Sequence, residues 1–255
     1  MQFGHKSLLH ECSQIHPMEE VAISFIIPTF NEEKIITTCI DSILRQSDND
    51  FEVIIVDGGS SDKTTEIAIA YEVTVLQIEK NRAHDVSSAK NFGAKQAKGK
   101  YVFFLDADMA LEPNCVELLK MIFSDDSVIG VGFKVLPLKG KKVEYLMYEI
   151  NNVLVKIANY AHLLSISYFS CHCYKRSVFL SLGGFRNDLM ACEDLDLSIR
   201  MSQFGDYIIT NKSTLWTSPR RLREWSYIGY VVKYLRYIFE YYLKKTVSRP
   251  YDDLC

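Results

Sequence analysis

From residue 21 to residue 135, short hydrophobic runs alternate with stretches whose apolar residues recur every three or four positions. The runs at 23–27, 53–56, 73–78, 101–105 and 128–135 are rich in β-branched and aromatic residues, which predicts strands. Between the first two, Ile35, Ile36, Cys39, Ile40, Ile43 and Leu44 fall on one face of a helix expected over 32–46. Further helices are expected from Asp62 with Ser61 as N-cap, over 87–97 with a stop at Gly99, and over 113–123. Strand–helix alternation of this kind predicts a parallel sheet with helices on both faces. Beyond Pro137 the rhythm changes: helices are expected at 143–164, 176–182, 193–204 and 222–245, with strands at 169–174 and 207–210.

Three of the runs end in polar clusters. These are Pro28-Thr29-Phe30-Asn31-Glu32, Asp57-Gly58-Gly59-Ser60-Ser61-Asp62 and Asp106-Ala107-Asp108. Side chains at the carboxyl ends of parallel strands share one crevice, where open α/β sheets bind ligands. Two aspartates flanking one small residue can share a divalent cation. Hard oxygen ligands suit Mg²⁺ or Mn²⁺ held jointly with substrate phosphates. The pattern therefore points to a nucleotide diphosphate held through a metal.

Composition changes this picture little. The 255 residues, 48% of them hydrophobic, supply one large domain with an appendage. The expected division is an N-terminal arm (1–20), the main α/β domain (21–215) and a basic, aromatic helical appendage (216–255). A net charge of −3 argues against a general nucleic-acid binder. No secretory signal and no charge-free apolar run of about 18 residues is present, so a cytoplasmic protein is expected, with membrane association left open. Seven scattered cysteines read as reduced core thiols. In Cys171-His172-Cys173 a strand would set the histidine opposite both thiols, against a zinc site. Cys255 is the last residue and forms no prenylation box.

Taken in order, Ser24-Phe25-Ile26-Ile27-Pro28-Thr29-Phe30-Asn31-Glu32-Glu33, Val56-Asp57-Gly58-Gly59-Ser60-Ser61-Asp62, Ala89-Lys90-Asn91, Asp106-Ala107-Asp108, Gly183-Gly184-Phe185 and Glu193-Asp194 resemble the motifs of family-2 glycosyltransferases with the GT-A fold. The likeness covers residues 21–210. It implies an α/β fold of GT-A type, a mostly parallel sheet flanked by helices, here with a C-terminal amphipathic helix. It also implies inverting transfer of a sugar from a nucleotide-diphosphate donor, a uridine nucleotide favoured, to an acceptor hydroxyl on a glycan or lipid-linked acceptor. Carried onto this chain, the donor side would comprise Pro28, Thr29, Glu32, Asp57, Lys90, Asp106 and Ala107. Glu32 would meet the ribose and Asp57 a base N–H; the plain alternatives are an acidic helix start and an Asx-turn. Lys90 stands where the family has arginine, and a solvated helix face is its alternative. Asp106 and Asp108 would hold Mn²⁺ or Mg²⁺, with Asp108 the principal ligand. Asp194 would be the catalytic base, and Gly184 and Glu193 would lie on the acceptor side.

Two further features carry chemistry. Arg220 and Arg221 after Trp216 can fold over the diphosphate, or else form a basic patch. In the helix expected at 222–245, Ser226, Gly229, Lys233, Arg236, Glu240 and Lys244 share one stripe and almost all the rest is apolar or aromatic. Such a helix lies in a membrane interface or packs on the domain or a second subunit. The processive members' Gln-x-x-Arg-Trp is absent: Arg221-Leu222-Arg223-Glu224-Trp225 stands there. Rival readings fare worse. A sugar-phosphate nucleotidyltransferase would carry a glycine-rich basic loop after the first strand, and a dinucleotide oxidoreductase G-x-G-x-x-G. A non-catalytic nucleotide-sugar binder would not need Asp106, Asp108 and Asp194.

Overall fold

Alternation along Ile23–Thr29 sends Ile23, Phe25 and Ile27 to one face of a sheet and Ile26 to the other, all fully buried. This segment is strand β1 of a computed structural model that describes residues 21–78, 86–160 and 171–247. The N-terminal arm, Arg82 (a further candidate cation), Cys255 and the ends of two expected elements, 161–164 and 169–170, lie outside the described residues. The chain continues through α1 (Ile36–Leu44), β2 (Phe51–Asp57), α2 (Thr64–Ala70), β3 (Thr74–Gln77), α3 (Val86–Gln96), β4 (Tyr101–Phe104), β5 (Met109–Leu111) and α4 (Cys115–Ile122). Then come β6 (Val128–Pro137), α5 (Lys142–Tyr160), β7 (His172–Lys175), α6 (Arg176–Ser181), α7 (Glu193–Met201), β8 (Asp206–Thr217), α8 (Arg220–Glu224) and α9 (Tyr227–Lys244).

The sheet order is β3-β2-β1-β4-β7-β6-β8-β5. Strands β1, β2, β3 and β4 run parallel, as do β6 and β8, while β7 is antiparallel to both its neighbours and β5 to β8. Helices α1 and α4 cover one face; α3, α6 and α7 cover the other. Helix α3 lies close to β1 because Gly93 faces it: a Cβ there would stand 2.6 Å from Ile26 Cγ2. The mixed α/β sheet, flanked by helices and followed by a C-terminal helix, agrees with the expected fold class.

Local expectations differ at four places. Ser61 does not cap α2; the Thr64 N–H donates to Asp62 Oδ1 (3.0 Å) instead. The short β5 was not foreseen, since three residues leave no readable period. Strand β8 is far longer than 207–210, because Thr210, Ser213, Leu215 and Thr217 bury one side of a polar sequence. The single C-terminal helix breaks at Ser226, which takes a positive φ of 61° and caps α9 by accepting from the Gly229 N–H. Cys171 and Cys173 enter one core cluster, and His172 is bound to the Tyr207 hydroxyl. Cys39, Cys115, Cys173 and Cys192 are buried free thiols.

Helix α9 presents three stripes around its circumference. Tyr237 and Tyr241 are buried with Leu189, Ala191 and Leu195, and the Tyr241 hydroxyl donates to Asp196 (2.9 Å). The polar stripe borders them. On the other flank Ile228, Val231, Val232, Leu235, Phe239 and Leu243 are exposed. Helix α5 exposes a similar row, Leu146, Ile150, Val153, Leu154 and Ile157. Among the described residues no helix is long and apolar enough to cross a membrane.

Candidate active site

Strands β1 and β2 end together, with Thr29 opposite Asp57. The Asp57 carboxylate is buried and fully engaged. Oδ2 accepts from the Gly59 and Ser60 N–H groups (both 2.9 Å), and Oδ1 from the Ser60 hydroxyl (2.5 Å) and, more weakly, the Thr29 hydroxyl (3.4 Å). The geometry thus displays the Asx-turn. Asn31, in the left-handed region (φ 55°), joins this turn to the β1 loop: its N–H donates to Ser60 Oγ and its side chain accepts from the Ser61 N–H, each at 2.9 Å. Asparagine tolerates that conformation, so this residue was legible and overlooked. Pro28 is half-buried beside Thr29.

The aspartate motif follows β4. Strand β5, starting at Met109, pairs antiparallel with β8 so that Met109 lies opposite Thr217, and the Ser218 N–H donates to the Asp108 carbonyl (3.1 Å). That pairing delivers the next turn, Arg220 and Arg221, to the carboxyl edge of the sheet. Arg220 Nη2 lies 3.5 Å from Glu32 Oε1. Burial raises the Glu32 pKa, and the Arg220 guanidinium opposes the rise. Burial and the neighbouring Asp106 push Asp108 up to about 7, although Arg221 and Arg220 both pull it down. The two arginines thus oppose the rise at Asp108 without cancelling it. The paired hard-oxygen donors fit a divalent cation that takes its remaining ligands from a diphosphate and water. Among the described residues no cluster of three His, Cys, Asp or Glu side chains forms a complete protein cage.

Opposite stands α7. It starts after Cys192, another left-handed residue (φ 63°), with Glu193 and Asp194 in its first turn. Lys90 on α3 has no solvent exposure. Its ammonium lies 3.3 Å from Asp194 Oδ1 and 3.7 Å from Glu193 Oε1, over the Phe185 ring. The solvated-face alternative for Lys90 is thereby overturned: burial disfavours the cation, and Asp194 and Glu193 outweigh that and raise its pKa. Glu193 is pushed up to about 7 by burial and by Asp194, with Lys90 opposing. Gly184 is buried at φ 74°, and a Cβ there would meet Asn91 Oδ1 at 2.2 Å. Its observed part is thus to let Asn91 reach the loop, where Asn91 exchanges hydrogen bonds with the Phe185 backbone (2.8 Å each way). Ala107, also buried, packs in the core cluster on the α1 side.

Residues not assigned to the site from the sequence lie around it. Tyr148 of α5 and Tyr230 and Tyr234 of α9 surround Arg221, which hydrogen-bonds Tyr234; Tyr148 also feels the Asp108 charge and Tyr234 that of Glu193. Asp196 joins Arg200 (2.7 Å), Arg186 (3.4 Å) and Tyr241. His172 is held neutral, its pKa lowered to about 3 by burial and by Lys90. Tyr148, Tyr230 and Tyr234 come from elements remote in sequence from the motifs, and no local pattern marks them.

The fold has known counterparts. The chain is 28% identical over 237 residues to an uncharacterized glycosyltransferase of Haemophilus influenzae, covering 87% of this chain and 77% of that one. A PGL/p-HBAD biosynthesis glycosyltransferase of Mycobacterium bovis is 41% identical over 91 residues, 34% of this chain and 36% of that protein. Among solved structures, S. aureus TarS 1-349 superposes with a TM-score of 0.65 at 21% identity, covering 80% of this chain and 63% of that one. A Pyrobaculum calidifontis mannosyltransferase, PcManGT, in complex with GDP-Man and Mn2+, gives 0.59 at 20% identity, with 79% and 58% covered. The chain spans less than two thirds of either solved protein. The family model of glycosyl transferase family 2 matches residues 24–183; the chain is an enzyme of that family, a glycosyltransferase.

Proposed function

We propose that the protein transfers a sugar, with inversion, from a nucleoside-diphosphate sugar to an acceptor hydroxyl, a uridine donor being favoured. The observation that carries this is the β5–β8 pairing, which sets Arg220 and Arg221 against Asp108 and Glu32 at one sheet edge. The buried Arg220 Nε has no hydrogen-bond partner among the described residues. A phosphate oxygen would satisfy it. Glu32 would accept from ribose hydroxyls, and a base N–H would replace the long Thr29–Asp57 contact. Structures of TarS with UDP and with UDP-GlcNAc support a uridine nucleotide on this fold; the GDP-Man complex shows that the fold also takes guanosine. Asp106 and Asp108 would hold Mn²⁺ or Mg²⁺. A bound cation there supplies neutralisation of charge on the diphosphate.

The protein's own groups do the rest. Asp194 takes the proton of the acceptor hydroxyl as its oxygen bonds to the anomeric carbon. The bond from that carbon to the phosphate oxygen breaks, and its electron pair leaves with the diphosphate. Arg220 and Arg221 meet that developing charge. Replacing both by alanine is expected to lower kcat more than donor affinity, and lysine at both positions to restore only part, because it lacks the planar fork. Turnover on a soluble acceptor with a panel of UDP-sugars measures this; normal kcat would remove the arginines from the site.

For the acceptor we favour a glycan or lipid-linked molecule approached at a membrane surface. The segment from Arg223 to Val247 carries five Lys and Arg against two Glu in a chain of net charge −3. Beside these charges lies the exposed apolar stripe of α9, a combination suited to an anionic interface. Removing the helix would also strip Tyr237 and Tyr241 from the core, so the informative change is confined to its outer face. Leu235→Glu with Phe239→Glu is expected to abolish binding to phosphatidylglycerol vesicles without lowering Tm, and salt to weaken binding of the parent chain. An unchanged vesicle affinity, or a parent chain that is a dimer made monomeric by the pair, would replace the membrane by a second subunit.

A further inference from the structure

We propose that Lys90 is a positioning residue for the transfer step: its buried ammonium holds the Asp194 carboxylate in place between α3 and α7, and it does not serve as a donor-phosphate ligand. This rests on the assignment of Asp194 as the base.

A buried ammonium without a partner costs several kcal/mol, so such a lysine is retained only with compensating charge. Here the compensation is Asp194 at 3.3 Å, within hydrogen-bond range, and Glu193 at 3.7 Å. For Lys90 to reach a phosphate it would have to abandon both carboxylates in a desolvated setting. The surroundings also resist movement. Lys90 is followed by Asn91, which grips the Phe185 backbone in both directions. Arg200 on α7 donates to the Gly184 carbonyl (2.7 Å) and pairs with Asp196. Helix α3 is seated on β1 through Gly93. Lys90 thus sits at the junction of α3, the Gly184 loop and α7.

One cation for two carboxylates leaves a net negative charge. Glu193 is the more deeply buried of the two, with a side chain 9% exposed against 14% for Asp194, and burial and Asp194 push its pKa up while Lys90 opposes the rise. Among the described residues, the charged and titratable groups facing this trio are Asp106, His172, Tyr174, Cys192 and, from α9, Tyr234. None of them brings a second cation.

The test compares Lys90→Met, Lys90→Arg and the Lys90→Met/Glu193→Gln pair with the parent full-length chain. The pair removes one carboxylate with the ammonium, so it keeps the question open if the single variant fails to fold. Two readouts need no acceptor: affinity for UDP with Mn²⁺, and the carboxyl ¹³C NMR titration of Glu193, identified by its absence in Glu193→Gln. In Lys90→Met the Glu193 midpoint is expected to rise by about one unit or more, with UDP affinity unchanged. UDP release from a panel of UDP-sugars should fall in Lys90→Met and recover in Lys90→Arg. Loss of UDP affinity with an unmoved Glu193 midpoint would overturn the proposal and return Lys90 to the donor site. Failure of the underlying reading looks different: Asp194→Asn would keep normal turnover while the Glu193 titration still responded to Lys90.

Discussion

Asp194→Asn is expected to lower kcat by about 10²–10⁴-fold, the usual range for removing a general base, while affinity for UDP with Mn²⁺ stays at the parent value. The amide keeps the size of the side chain and can still occupy its place beside Lys90, but it cannot take a proton. Because the lost interaction is made with the acceptor in the transition state, kcat falls and donor binding does not. Single-turnover rates beside equilibrium UDP binding make the separation. Normal turnover would move the base elsewhere, with Glu193 next to it the first alternative. A joint loss of turnover and UDP affinity would mean that the Lys90–Asp194 contact shapes the donor site.

The second large effect is expected at Asp108. Asp108→Asn should nearly abolish Mn²⁺-dependent UDP binding, since a neutral amide is a poor ligand for a hard cation. The fold should survive. In the metal-free protein the Asp108 carboxyl is pushed up to about 7, first by burial and then by Asp106. A carboxyl whose folded pKa lies above its unfolded one, near 3.9, adds stability below that unfolded value. It loses the contribution as pH rises toward the folded pKa. Between about pH 4 and 7 the metal-free parent should therefore lose Tm relative to Asp108→Asn, and saturating Mn²⁺ with UDP should stabilise the parent alone. Equal stabilisation of both by Mn²⁺ and UDP would place the cation on other residues.

Much of this site could be read without a structure, for a physical reason. Glu32, Asp57, Asp106 and Asp108 each stand within five residues of the end of a hydrophobic run, and in a parallel sheet the end of a run is also a place in space. The period of the runs determined the strands, and the strands determined the crevice. Glu193 and Asp194 were legible for a similar reason, since they stand at the start of an amphipathic helix.

Other features were invisible because no local pattern encodes them. Strand β5 is three residues long, yet its pairing with β8 is what carries Arg220 and Arg221 to Asp108. The sequence left Lys90 between a donor-side residue and a solvated helix face; only the packing of α3 against α7 strips its water and makes Asp194 and Glu193 its partners. The 222–245 segment read as one helix because its composition is uniform, and Ser226 divides it where the chain must turn to lay Tyr237 and Tyr241 on the domain.

By itself, then, the sequence determined the order of strands and helices, the family and the carboxylates at the strand ends, because hydrophobic period and turn chemistry act over a few residues. The tertiary structure alone decided which charges meet. An ion pair such as Lys90–Asp194, or an arginine aimed at Asp108, is set by burial and by contacts across more than a hundred residues of chain, and its strength depends on the water that the fold excludes.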